Sequence, residues 1–181
     1  MKKFAALSLA CSMTMGCLAG CGGKSGGSKA NSSEELAFVE SYLKATYDEP
    51  DGYIHYTSIT PESSIELAKS TGEWDKAVDG YTGHFFLNST GSKHDPDSVE
   101  KVANLSDKEI GYAEMYFEDE YNQKVKANSG SVYYTTIEIF YKDNDTKKLY
   151  GYLTVLDLDG EGLKICPYNP TELERKYADY E

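Results

Sequence analysis

The run Ser131-Val132-Tyr133-Tyr134-Thr135-Thr136-Ile137-Glu138-Ile139-Phe140-Tyr141-Lys142 is dense in β-branched and aromatic side chains, which fit a pleated strand better than a helix. Asp143-Asn144-Asp145-Thr146 then has turn chemistry, Leu149 to Leu158 resumes the β pattern, and Asp159-Gly160 turns the chain into Leu163-Lys164-Ile165-Cys166. Three antiparallel strands in meander order are the economical arrangement. One parity of the first strand must face a core, and Val132, Tyr134 and Phe140 compete with Tyr133, Ile137, Ile139 and Tyr141 for that place. Ile137 and Ile139 favour the second set, because Glu138 lies on the other parity and an unpaired buried carboxylate is costly.

Upstream of this run the period of the pattern changes. Ser106-Asp107-Lys108-Glu109 has capping-box spacing, and Ile110, Ala113, Phe117 and Tyr121 fall on one helical face, so residues 107–121 are predicted as a helix on which the Ile137/Ile139 face packs. Gly111 is the only local objection. Ser32 and Glu35 have the same capping spacing, and Leu36, Val39, Leu43 and Tyr47 form the stripe of a helix that ends before Pro50. Tyr53 to Ile59 reads as a short strand, and Thr60-Pro61 as the N-cap and first residue of a helix running through Ile65, Leu67 and Ala68 to Gly72. Glu73 to Val78 suggests one or two helical turns, Asn88 to Asp97 a loop, Gln123 to Ala127 a further strand, and Thr171 with Glu174 the cap of a short terminal helix. Helices first and adjacent strands afterwards define an α+β class.

Ser32-Ser33-Glu34-Glu35-Leu36 at one end and the strands from Val132 through Ile165 at the other resemble, in element order, small lipoproteins of anaerobic Firmicutes with NTF2-like, cone-shaped domains. The resemblance implies a curved antiparallel meander sheet, NTF2-like or cystatin-like, wrapped around a helix. It also implies a site inside the cone, where enzymes similar to ketosteroid isomerases and dehydratases hold a base and hydrogen-bond donors.

Composition narrows the function classes. The 181 residues include 30 acidic and 18 basic ones for a net charge of -12, which repels phosphate, so a nucleic-acid partner is not expected. Lys2 and Lys3 precede an apolar stretch from Phe4 to Leu18 that is too short to span a bilayer but suits a secretory signal. Leu18-Ala19-Gly20-Cys21 resembles the lipobox of bacterial lipoprotein precursors. That resemblance implies a signal peptide over residues 1–20, acylation of the Cys21 thiol and an extracytoplasmic chain anchored to the cell membrane by its N-terminal lipid. Cleavage would remove Cys11, Cys17 and two lysines, leaving Cys166 as the one ordinary thiol and a net charge of -14, two below the precursor's -12. Residues 21–32 follow as the lipidated cysteine and a Gly/Ser tether, with a reach of about 20 Å. Residues 33–181 form a single globular domain.

Several constellations compete with plainer readings. Asp143-Asn144-Asp145 and Asp157-Leu158-Asp159-Gly160-Glu161 look like fragments of calcium loops, yet neither completes the ligand pattern and both suit hairpin turns. His55, His84 and His94, the last beside Asp95 and Asp97, match no metal spacing, so no metal or other cofactor is expected. His94 reads as part of a solvated turn, whereas His55 is a candidate pocket residue together with Tyr134, against the alternative of a hydrogen-bonded core histidine. Cys166 in its apolar run reads as buried and inert. Ser41-Tyr42-Leu43-Lys44 matches a Ser-x-x-Lys element without the context that would give it meaning. Glu114, Glu118, Asp119 and Glu120 make either a solvated helix face or an acidic docking surface.

Three functional classes follow: a non-catalytic binding or interaction domain whose ligand is a small molecule, peptide or protein, a cone-fold enzyme with a pocket base, and an envelope or self-protection protein that docks a basic partner. An open pocket lined by tyrosine and aliphatic side chains without a base distinguishes the first. For the anchor, mass spectrometry of protein from its native membrane is expected to find a lipid-modified Cys21 at the N-terminus. Cys21→Ala should remain unprocessed, and an intact residue 1–20 segment on the native protein would contradict the assignment.

Overall fold

The computed structural model describes residues 32–81 and 89–178. The segment read as signal peptide and lipobox, with Cys21, the tether up to residue 31 and His84 lie outside the described residues. The chain runs α1 (Ser32–Leu43), a five-residue π-turn (Lys44–Asp48), α2 (Gly52–Ile59), α3 (Glu62–Thr71), α4 (Trp74–Tyr81), β1 (Ser89–His94), a 3-10 turn (Pro96–Ser98) and β2 (Glu100–Asn104). It continues with α5 (Asp107–Tyr121), β3 (Ala127–Tyr141), β4 (Thr146–Leu158), β5 (Gly162–Cys166) and α6 (Pro170–Tyr177). β3, β4 and β5 pair antiparallel in sequence order, and β1 and β2 share the other edge of β3. The result is the expected α+β fold, a strongly curled antiparallel half-barrel preceded by helices and consistent with an NTF2-like cone.

Alternation along the long strands divides the core in two. Val132, Leu156 and Cys166 belong to one face with Tyr112, Ala113, Tyr116 and Phe117 of α5 and Leu173 and Tyr177 of α6. Their immediate neighbours Tyr133, Val155 and Ile165 belong to the other, with Val39, Tyr42 and Leu43 of α1 and Ile59 of α2. Helices therefore cover both faces, where the sequence pattern had suggested a single buried one. Ile137 and Ile139 are buried as expected, but they share the parity of Tyr133, so the face that packs on α5 is that of Val132. Gly130 allows this packing, because a Cβ there would lie 2.6 Å from Leu105 Cδ1 and 2.9 Å from Leu156 Cδ2.

Several local expectations are corrected. Tyr53 to Ile59 is helical, capped by Asp51 accepting from the Ile54 amide at 3.1 Å. His55, Ser58 and Ile59 are buried there at helical spacing, so tertiary packing overrides the local β propensity. Thr60 ends this helix rather than starting the next. α3 begins after Pro61, its Glu62 amide donating to the Glu161 carboxylate at 3.0 Å, and closes on left-handed Gly72. The predicted loop from Asn88 to Asp97 contains strand β1, and β2 follows it; their pairing to β3 is long-range and leaves little local signature. Gln123 to Ala127 is no separate strand, since β3 starts at Ala127. The terminal helix is capped by Asn169 and Glu172 with Pro170 at its first position, not by Thr171 and Glu174. The α5 capping box of Ser106 and Glu109 is present as expected.

Glu35 does not serve as a helix cap either. Its buried carboxylate accepts hydrogen bonds from Lys101 Nζ at 2.8 Å, Ser131 Oγ at 3.0 Å and Tyr133 Oη at 3.2 Å, tying α1 to β2 and β3. Three donors on one carboxylate compensate its loss of water.

Phe117 and Ile137 lie on opposite sides of the sheet. Phe117→Ala is expected to cost about 3 to 5 kcal/mol and Ile137→Ala about 2 to 5. In denaturant melts the double variant should lose the sum to within about 0.5 kcal/mol, whereas strong coupling would place both side chains in one core.

Candidate functional site

On the Val132 face the sheet is not wholly covered. A groove of about 510 Å³ opens there, floored by Val132 and Tyr152, walled by Val102 of β2, and bordered by Glu109 and by the first turns of α6 up to Arg175. The β2 to β3 register places Ala103 opposite Val132, and the β3 to β4 register places Tyr152 opposite Tyr134, so the apolar floor is built from three adjacent strands. The α6 capping box sets the far wall: Asn169 accepts from the Glu172 amide at 3.0 Å, and Glu172 accepts from the Asn169 amide at 2.9 Å.

These caps decide the electrostatics of the groove. Glu109 accepts from both the Ser106 amide and hydroxyl at 2.7 Å, and Glu172 is held as described, so both carboxylates serve helix ends. Arg175, the one arginine in the sequence, has no ion-pair partner among the described residues. The groove thus offers aliphatic and tyrosine surface, polar groups at a helix start and one uncommitted cation. It suits a ligand with an apolar body and an acidic group, since a guanidinium can take a carboxylate by two parallel hydrogen bonds.

Tyr134 flanks this groove, its ring 5.5 Å from that of Tyr152 and 6.4 Å from that of Tyr150. His55 lies across the sheet from it, buried in the α1 and α2 layer against Tyr42, with ring centroids 5.2 Å apart. The two candidate pocket residues are therefore not brought together. Thr46 Oγ1 donates to the Tyr42 carbonyl at 2.7 Å and lies 2.8 Å from His55 Nδ1, so with its proton committed it accepts from a protonated Nδ1. His94 is also buried, against the expectation of a solvated turn: its Nδ1 lies 2.7 Å from Asp48 Oδ2 and its amide donates to Asp48 Oδ1 at 2.7 Å. Both histidines thus meet the π-turn, through Thr46 and Asp48.

The acidic side chains of α5 are largely engaged within the fold. Glu114 accepts from the Ala127 amide at 2.7 Å, and Asp119 pairs with Lys176 at 3.0 Å, which holds the Asp119 carboxyl below its usual range. Glu118 lies 3.7 Å from Lys124, and Glu120 has no ion pair among the described residues. Both calcium-like fragments form turns: the Asp145 amide donates to Asp143, and Gly160 adopts φ 75°. No group of three or more His, Cys, Asp and Glu side chains among the described residues could hold a metal. Burial pushes the Cys166 thiol up to about 12, consistent with an inert core cysteine.

Sequence reasoning missed Tyr152, Val102 and Arg175. The uniqueness of Arg175 was the signal that could have drawn attention to it. Comparison with protein-family models, with curated proteins and with solved structures finds no match for this chain.

Burial lowers the His55 pKa from 6.5 to about 4. The unfolded chain then binds a proton at higher pH than the fold does, so this contribution to stability is complete above about pH 6.5 and is lost as pH falls towards 4. Thermal melts should show the decline across that window, and His55→Gln should flatten it; an unchanged pH profile would place His55 in water.

Proposed function

We propose that the chain is a lipid-anchored, extracytoplasmic surface protein whose folded part is a non-catalytic binding domain, with its ligand seated in the groove between β2 and α6. The observation that carries the reading is the lining of the groove: Val102, Val132 and Tyr152 supply apolar and aromatic surface, and Arg175 is the single uncommitted charge. A general base must reach its substrate. The carboxylates beside this groove are bound in helix caps, and His55 and His94 are engaged with Thr46 and Asp48 in the opposite layer. The anchor and a tether of about 20 Å would hold such a domain at the membrane surface, while the net charge keeps it off an anionic leaflet.

Isotope-labelled full chain titrated with short peptides, chitin oligosaccharides and fatty acids tests the reading. At least one class should shift the amides of Val102, Tyr152 and Arg175 with saturation at micromolar to low millimolar concentration. Tyr152→Ala should remove the response without lowering the melting temperature, because that ring is 48% exposed. Absence of any groove ligand, or chemical turnover that depends on His55, would overturn it.

A further inference from the structure

We infer that the groove ligand is an extended peptide segment that adds as a strand to the open edge of β4 and presents a carboxylate to Arg175. The inference rests on the binding reading of the groove and names its partner. β3 covers one edge of β4 from Thr146 to Leu158, whereas β5 covers the other only from Thr154 to Leu158. From Thr146 to Leu153 the outward backbone N–H and C=O groups have no partner among the described residues. Folded proteins usually shorten, twist or charge such an edge to stop it recruiting another chain. Here Lys147 and Lys148 guard only its start, and Lys148 is paired with Glu138 at 2.9 Å. The rest is Leu149-Tyr150-Gly151-Tyr152-Leu153, with Tyr150 67% exposed. A row of alternating backbone donors and acceptors is satisfied by another extended backbone, which a glycan or acyl chain cannot supply.

Gly151 is an independent sign. A glycine weakens a strand interior, and in strands it often marks the close approach of another backbone. The chain's own packing does not require it, since a Cβ at residue 151 would meet nothing within 4 Å. On the face opposite Tyr150 and Tyr152 it leaves the centre of the edge low between Leu149 and Leu153, where a side chain of an added strand would lie.

The far end of the edge selects charge. β5 leaves β4 after Cys166, and the chain turns through Tyr168 into α6, so Tyr152 belongs both to the free edge and to the floor of the groove that Arg175 borders. A strand laid on β4 therefore runs into the groove beside an unpaired guanidinium. The matching segment alternates aromatic or β-branched residues along β4 and carries a carboxylate, from an acidic side chain or its own C-terminus, at the end near Arg175.

A phage-displayed heptapeptide library selected on the purified full chain, followed by synthetic copies of the winners, provides the test. The selected peptides should show that alternation with an acid at one end, and in hydrogen exchange they should slow the amides between Thr146 and Leu153. Gly151→Val should keep the melting temperature yet weaken binding about tenfold or more, and Arg175→Gln should weaken acidic peptides about tenfold. Replacing the peptide Asp by Asn, or amidating its C-terminus, identifies the source of the carboxylate by abolishing the effect of Arg175→Gln. If Gly151→Val disturbs folding, Tyr150→Lys on the exposed face serves the same purpose. Ligands that shift the groove while leaving β4 exchange unchanged would overturn strand addition but spare the groove, whereas absence of any ligand overturns both. Concentration-dependent protection of β4 in a dimer, without peptide, would assign the edge to a second copy and overturn the peptide partner.

Discussion

Two strands long enough to be buried on both sides set the terms for the rest of the molecule. Because adjacent residues of a strand point to opposite faces, Val132 and Tyr133, or Val155 and Leu156, lie in different cores. Neither core can shift register without displacing the other, since a slip by one residue exchanges their entire membership. The N-terminal helices and the pair α5 and α6 are thus held in fixed relation through β3 and β4, although they lie on opposite sides of the sheet. The Glu35 cluster reinforces one side by joining α1 to two strands through a single carboxylate.

The groove follows from incomplete coverage. α5 and α6 cover the Val132 face around Leu156 and Leu158, but β3 and β4 continue past them to Tyr141 and Thr146. The uncovered length presents Tyr134, Tyr150 and Tyr152 on one face, and β5 is too short to pair the adjoining stretch of β4. A tyrosine suits such a place, with an apolar ring for packing and a hydroxyl that tolerates water. On the opposite face the β3 part of that length is closed by the π-turn and β1, where His94 and Ser92 bond to Asp48 and to the Tyr47 carbonyl. The two histidines are consequently parts of the framework on that side, and the groove chemistry is left to Arg175 and the aromatic floor.

Local rules account for much of what was legible. Ser106 with Glu109 caps α5, Gly72 closes α3, and Asp143 to Asp145 and Asp159-Gly160 form turns, because each depends on residues within a few positions of one another. The β-branched and aromatic density of β3 and β4, and their burial, were likewise apparent. Tyr53 to Ile59 misled because its composition favours a strand, while burying His55, Ser58 and Ile59 against the N-terminal layer requires a helix. β1 is rich in glycine, serine and lysine and acquires its strand conformation from pairing with β3.

By itself, then, the sequence determined the α+β class, the strand-rich second half, the Ser106 cap, the Gly72 stop, the hairpin turns and a strongly acidic chain. Only tertiary structure decided which face of β3 meets α5, because period-two alternation defines two faces without naming the partner of either. It also decided that His55 and Tyr134 stand on opposite sides of the sheet, and that Val102, Tyr152 and Arg175 converge. Those three residues come from separate elements, and a groove is a relation between elements that no local pattern encodes.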